Sequence, residues 1–383
     1  MKNIIVGTGS FAMKVAEIFE NNQFNIDLFV NISQCSKLLP TILRDIPVVP
    51  IESMPLSSFE KNNWIIAKKP MFIESAIDFL KNRNAKNIYV VNEEIFFDNN
   101  LTRERIILYL DKIEFKLPFL NYLETNVVDY CDLNCKGCAH FSNLCTDHVH
   151  LNLEEYKNDL TLLCQNFKIY CFRLLGGEPL LHPNLEDIIK ITRYYLPSSR
   201  LYLVTNGLKI QYLKHHVLDV LRVNKIIITI SVYENNLNQI DNIIKILKEN
   251  NIMYLLNDDY FNDGQVIQSF NKRLMLSKKT RDSYETLTCG GRFCRFLRNG
   301  KISKCYYPLL IEILNKRFNV NFEVTENDYI DLKHITNGWN EVEKLKSNIP
   351  FCNYCCSNEE KFKWDIASSS KAKIEDYIIE EKV

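Results

Sequence analysis

The sequence contains no apolar run approaching the ~20 residues a membrane-spanning helix needs. It also carries no net charge, since 47 Lys and Arg residues balance 47 Asp and Glu. The first absence argues against a helical membrane protein. The second argues against a surface built to coat nucleic acid or an anionic membrane. The densest basic stretch runs from Lys272 through Arg273, Lys278 and Lys279 to Arg281, and reads as a solvated face or loop. Internal repeats and long low-complexity tracts are missing. The start, Met1 to Gly7, lacks the apolar length of a signal peptide and leads into a glycine turn, so a cytoplasmic location is expected. In that reducing setting thirteen cysteines are not a disulfide framework; they read as metal ligands or catalytic thiols.

With 383 residues, 46% apolar and 25% charged, the chain has the composition of a globular protein of two or three domains. In residues 1–112 strands at Asn3–Val6, Ile26–Val30, Trp64–Ala67 and Asn87–Val91 alternate with helices at Phe11–Glu20 and Phe72–Lys81, a small α/β unit with parallel strands. Residues 117–282 repeat βα units of about thirty residues, which suggests a partial (β/α) barrel. Its strands fit Leu123–Asp129, Ile169–Leu175, Leu201–Val204, Lys225–Ser231 and Ile252–Leu256. Asn152 and Asn184 read as helix N-caps. Residues 283–366 are cysteine-rich, with a hairpin signal at Asn299-Gly300. Residues 367–383 read as a charged tail, a peripheral helix or frayed end.

Ten of the thirteen cysteines fall in two groups, Cys131 to Cys145 and Cys289 to Cys356; Cys35, Cys164 and Cys171 read as structural thiols. The first group holds Cys131-x3-Cys135-x2-Cys138. Three thiolates leave one iron of a four-iron cubane without a protein ligand. Gly176-Gly177-Glu178-Pro179 follows the next strand, Thr205-Asn206-Gly207 the third, and Ser231 with Tyr233 the fourth. Ligands of parallel α/β folds gather at those carboxyl ends. The alternative is a zinc site that adds His140 or Cys145 to the three cysteines.

The triad followed by the Gly-Gly-Glu-Pro turn resembles the radical S-adenosylmethionine (SAM) enzyme superfamily. The resemblance implies a radical SAM partial (β/α)6 barrel, with Cys131, Cys135 and Cys138 holding a [4Fe-4S] cluster. SAM would chelate its open iron, and Gly176, Gly177, Glu178, Thr205, Asn206 and Ser231 would contact the cofactor. One departure is Gly137, where the residue before the third cysteine is often aromatic. The second cysteine group resembles a twitch or SPASM-type extension, which implies an auxiliary [4Fe-4S] cluster on Cys289, Cys305, Cys352 and Cys355. Cys294 and Cys356 are spares, and no cysteine follows Cys356. A zinc ribbon on the same four positions is the alternative.

Residues 1–112 resemble Rossmann-like units of sugar-modifying enzymes. Gly7-x-Gly9-x-x-Ala12 matches a phosphate-binding turn, although Asn31 stands where an acidic ribose ligand is expected. The combined expectation is hydrogen abstraction from a carbohydrate or nucleotide-linked sugar, with a flavodoxin or ferredoxin as electron donor. Loss of a further proton and electron would give dehydrogenation, with Tyr233, Arg173 and His140 as candidate bases. Return of a hydrogen atom from Cys145, Cys171, Cys294 or Cys356 would give epimerisation. A peptide-modifying maturase and a non-enzymatic zinc-binding interaction protein are the competing readings.

Overall fold

The computed structural model describes residues 1–32, 42–256, 270–277 and 295–379. Cys35, Cys289 and Cys294 lie outside these residues. Two compact units are present, Met1–Lys116 and Leu117–Val383.

The first unit is one seven-stranded sheet. Its strands are β1 (Asn3–Val6), β2 (Leu28–Asn31), β3 (Ile42–Leu43), β4 (Ile46–Pro50), β5 (Asn63–Ile66), β6 (Asn87–Val91) and β7 (Leu110–Lys112), in the order β3-β4-β2-β1-β5-β6-β7. The five inner strands are parallel, and the two edges pair antiparallel. The apolar runs Ile4-Ile5-Val6 and Trp64-Ile65-Ile66 are buried, as central parallel strands require. Helix α1 (Ser10–Asn21) buries Phe11, Ala12, Val15, Ala16 and Phe19 on one stripe. Helices α2 (Leu56–Lys61), α3 (Glu74–Lys81) and α4 (Arg103–Ile106) complete the unit. Gly7 has φ 135°, and a Cβ there would crowd the Ala67 carbonyl at 2.8 Å. Gly9 has nothing within 4 Å of such a Cβ. Strand packing therefore accounts for the first glycine of the turn without a ligand.

In the second unit β8 (Phe119–Leu120) pairs with β10 (Lys168–Ile169). The main sheet contains β9 (Leu123–Val128), β11 (Cys171–Gly176), β12 (Arg200–Thr205), β13 (Ile226–Ile230) and β14 (Tyr254–Leu256), parallel neighbours in chain order. Helices α5 (Leu153–Asn166), α6 (Leu185–Tyr195), α7 (His215–Val223) and α8 (Ile240–Glu249) alternate with them. This is the expected open βα succession. A sixth parallel strand, β16 (Phe296–Arg298), joins the free side of β9, and β17 (Lys301–Ser303) and β18 (Ile330–Asp331) extend that edge antiparallel. Strands β15 (Phe270–Leu276) and β19 (Cys355–Lys363) form a separate antiparallel ribbon. Helices α9 (Tyr307–Phe318) and α10 (Gly338–Lys346) lie in the C-terminal part.

The pleat sorts the main sheet into two faces. Leu123, Val127, Phe172, Leu174, Leu201, Leu203, Ile226, Ile228 and Ile230 join the apolar core with residues of α5 to α8. Alternate positions carry Glu124, Asn126, Arg173, Tyr202 and Thr229, all buried. Register sets Glu124, Arg173 and Tyr202 in one row across β9, β11 and β12.

Three expectations change. The segments 117–282, 283–366 and 367–383 are not separate domains, because β16 to β18 belong to the barrel sheet. The tail is not a peripheral helix: Tyr377 and Ile378 are buried, and Leu276 exchanges backbone hydrogen bonds with Tyr377 and Ile379. Asn152 caps α5 through Glu154 N and Glu155 N, whereas Asn184 makes no side-chain cap.

The C-terminal hairpin is tied to the barrel by Arg298, whose guanidinium meets both Asp129 oxygens at 2.8 and 2.6 Å. The Asp129 side chain is only 6% exposed. Arg298→Met strands that carboxylate, and urea unfolding of the full chain should show a loss of about 2–3 kcal/mol. An unchanged midpoint would show that the pair does not tie the hairpin.

Candidate metal and cofactor site

The cysteine loop leaves the end of β9 and is fixed to the end of β11 by backbone pairing. Gly177 N donates to Val128 O at 3.0 Å, and Glu178 N donates to Tyr130 O at 3.0 Å. A Cβ on Gly176 would overlap the Val128 carbonyl, and one on Gly177 would overlap the Tyr130 carbonyl. Gly176 also has φ 149°. The glycine pair is required because two protein backbones meet there.

Glu178 reaches sideways to β12. One oxygen accepts from Thr205 Oγ1 at 2.6 Å and Leu180 N at 3.0 Å; the other accepts from Asn206 N at 2.9 Å. The side chain is fully buried. Burial pushes its carboxyl up to about 7, against those three donors. Glu178 thus stands behind the cofactor cavity as a clamp between strand ends. Asn206 Nδ2 donates to Asp132 Oδ1 at 3.0 Å, and Asn236 Nδ2 donates to the Asn206 and Ser231 carbonyls at 2.7 and 2.8 Å. A continuous arc of hydrogen bonds therefore runs from the cysteine loop through three successive strand ends.

Inside this arc is a cavity of about 210 Å³ lined by Cys131, Cys135, Cys138, His140, Ser142, Gly176, Gly177, Thr205, Asn206, Ser231 and Tyr233, among others. Arg173 and Glu178, both expected at the site, do not line it. Arg173 donates to Tyr122 Oη at 2.7 Å, which donates to Glu124 Oε2 at 2.8 Å, on the inner sheet face. His140 Nδ1 meets Asn126 Oδ1 at 3.0 Å, and its ring stacks on Tyr306 at 4.7 Å. Burial pushes the imidazole down to about 4, so it is neutral near pH 7. Burial raises the Tyr233 phenol well above its ordinary range.

Burial pushes the Cys135 thiol up to about 12, with the Cys138 sulfur adding to the effect. Cys131 is also raised, by burial and then by the Glu178 charge. Such thiols become ligands only when a strongly cationic centre compensates their charge. Ser142 Oγ, on the cavity wall, has no hydrogen-bond partner among the described residues. Three thiols beside a cavity walled by small polar groups are the donor set and the space that a cluster with one open iron would need.

Cys305, Cys352 and Cys355 belong to one apolar cluster of the C-terminal part. Cys289, the expected fourth ligand, lies outside the described residues. Cys145 faces a different cavity, of about 450 Å³, with Asp129 and Arg298. Cys171 is buried at the start of β11, at the other end of the strand from Gly176. Sequence reading missed Trp364, whose indole N–H donates to Cys135 Sγ at 3.3 Å. No spacing rule links residues so far apart.

Residues 124–253 match a family model described as a 4Fe-4S single cluster domain. GTP 3',8-cyclase of Nautilia profundicola is 31% identical over 111 residues, 28% of this chain and 33% of that protein. The GTP 3',8-cyclase of Microcystis aeruginosa is 29% identical over 94 residues, 23% of this chain and 28% of that one. The chain thus spans about a third of the length of these curated relatives. Among solved structures, BtrN in complex with AdoMet and 2-DOIA aligns at TM-score 0.36 and 18% identity, covering 62% of this chain and 85% of that one. Streptococcus suis SuiB bound to S-adenosylmethionine aligns at 0.32 and 20%, covering 50% and 46%.

Two variants test the clamp. Gly177→Ala should lose about 3 kcal/mol or more in unfolding, because a backbone must move. For Glu178 the folded carboxyl sits above its unfolded value, so the native state holds more protons between the ordinary carboxylate range and about 7. Stability of the cluster-free chain should therefore fall as pH rises through that window. Glu178→Gln should flatten the dependence in urea unfolding measured across it.

Proposed function

We propose that this chain, whose central sheet and cysteine loop are those of the radical SAM superfamily, is an enzyme that dehydrogenates a carbohydrate or nucleotide-linked sugar. The observation that carries the reading is the single cavity shared by Cys131, Cys135 and Cys138 with Gly176, Gly177, Thr205, Asn206 and Ser231. The three thiolates would hold a [4Fe-4S] cluster with one iron open, and the polar strand ends would hold S-adenosylmethionine. When bound, these groups supply a carbon-centred radical that removes a hydrogen atom from the substrate.

The chain's own residues have three tasks. Asn206 and Ser231 present polar groups at the cavity wall, and Glu178 fixes the backbone that carries them. The inner face offers Glu124, Arg173, Tyr202 and Thr229, donors and acceptors of the kind polyhydroxyl substrates need. His140 is the best placed of the three candidate bases. It lines the cavity, and with Nδ1–H donating to Asn126 its Nε2 is the nitrogen left for a substrate proton; because burial disfavours the protonated ring, it would pass that proton on and not keep it. Arg173 stands apart from the cavity, and Tyr233 would have to ionise far above neutral pH.

Oxidation of an alcohol carbon to a carbonyl removes one hydrogen atom, one proton and one electron. The proton goes to His140. The electron needs an acceptor, which Cys305, Cys352 and Cys355 with Cys289 would bind as the auxiliary cluster. Dehydrogenation is favoured over epimerisation because the second cysteine group would supply the electron acceptor it needs, while Cys145 faces a different cavity and Cys171 lies at the far end of β11.

Anaerobic reconstitution should load about eight irons per chain if both sites hold four-iron clusters. Cys135→Ala should abolish reductive formation of 5′-deoxyadenosine from S-adenosylmethionine. His140→Gln should keep that cleavage but lose keto product by about 10²-fold or more. A panel of nucleotide-sugars, free sugars and peptides, followed by 5′-deoxyadenosine release, identifies the substrate class. Stimulation by peptides alone would overturn the sugar assignment.

A further inference from the structure

The segment after β19 returns to the cysteine loop and pairs with it. Lys136 N donates to Asp365 O at 2.8 Å, Ala367 N donates to Asn134 O at 2.8 Å, and Cys135 faces Ile366 across an antiparallel bridge. The segment is itself anchored. Asn143 Nδ2 donates to Ala367 O at 2.9 Å, Tyr377 Oη donates to Asn143 Oδ1 at 2.8 Å, and Lys136 Nζ stands 3.4 Å from Asp376. The strap therefore grips the loop from both sides of Cys135.

Trp364 opens this strap. Its indole N–H points at Cys135 Sγ, 3.3 Å away and 229 residues earlier in the chain. The side chain is 8% exposed, and its ring lies 5.6 Å from that of Tyr233 on the cavity wall. An indole has one donor and no acceptor, so the sulfur takes up its whole hydrogen-bonding capacity. Cys131 Sγ, by contrast, accepts from its own loop, from Leu133 N at 3.4 Å. Polar donors to ligating sulfurs stabilise the negative charge gained when a cluster is reduced, and so raise its potential.

We propose that Trp364 is a positioning residue that raises the reduction potential of the cluster held by Cys131, Cys135 and Cys138, through its hydrogen bond to Cys135 and the strap it begins. This rests on the cluster reading above. It assigns the C-terminal segment a part in setting how easily the first electron enters.

Trp364→Phe keeps a ring and removes the donor. In the anaerobically reconstituted full chain, the paramagnetic signal that changes when S-adenosylmethionine is added identifies the cluster, and a redox titration gives its midpoint. The expected result is a midpoint more negative than wild type at equal iron content. An unchanged or more positive midpoint overturns the proposal. If the wild-type signal never responds to S-adenosylmethionine, the cluster reading fails instead. A second measurement needs no iron. In the unloaded chain, site-resolved alkylation should label Cys135 several-fold more slowly in Trp364→Phe than in wild type, because the donor that stabilises its thiolate is gone, with Cys131 unchanged. Equal labelling of Cys135 in both proteins overturns the proposal even where the variant loads iron poorly.

Discussion

Two stretches of backbone in the second unit, Val128–Tyr130 leaving β9 and Gly176–Gly177 leaving β11, meet with no room for a side chain between them. Any side chain on either glycine would push these strands apart. Because they meet, the cysteine loop starts from a rigid edge and not from a free strand end. Glu178 then carries the constraint to Thr205 and Asn206, and Asn236 carries it to Ser231. Three thiols and a row of small polar groups are thereby held around one cavity with little freedom to drift. That is the preorganisation a site for reactive intermediates needs.

The same arrangement explains why buried thiols are tolerated. Cys131 and Cys135 resist ionisation where they stand. An empty site is thus held in its protonated form, while a cationic centre makes the thiolates favourable. The helix face of the sheet is apolar and the inner face polar. Folding free energy comes from one side, and the other is left to recognise a ligand. His140 bridges the two roles, since it packs on Tyr306 while lining the cavity.

Much of this was legible in sequence because it is local. Apolar strand runs, turn glycines and the cysteine spacing each act within a few residues, and the parallel βα order then brings their ends together. Strand positions such as Asn3–Val6 and Asn87–Val91 coincide with the expected ranges. What escaped depends on long-range pairing. Glu178 looks like a ligand in a motif, but burial and three donors turn it into a clamp. Arg173 sits on a strand whose end is at the site, yet its side chain belongs to the inner face. The charged composition of 371–383 hid the buried Tyr377, and nothing near Trp364 announced a bond to Cys135.

The central claim is that the iron left without a thiolate is the place where S-adenosylmethionine binds. Electron–nuclear double resonance on the reduced, reconstituted chain with cofactor labelled at the amino nitrogen tests it directly. A nitrogen coupling strong enough for direct coordination to the cluster is expected, and its loss in Cys135→Ala. Absence of that coupling in the wild-type chain, with the cluster fully loaded and cofactor present, would contradict it.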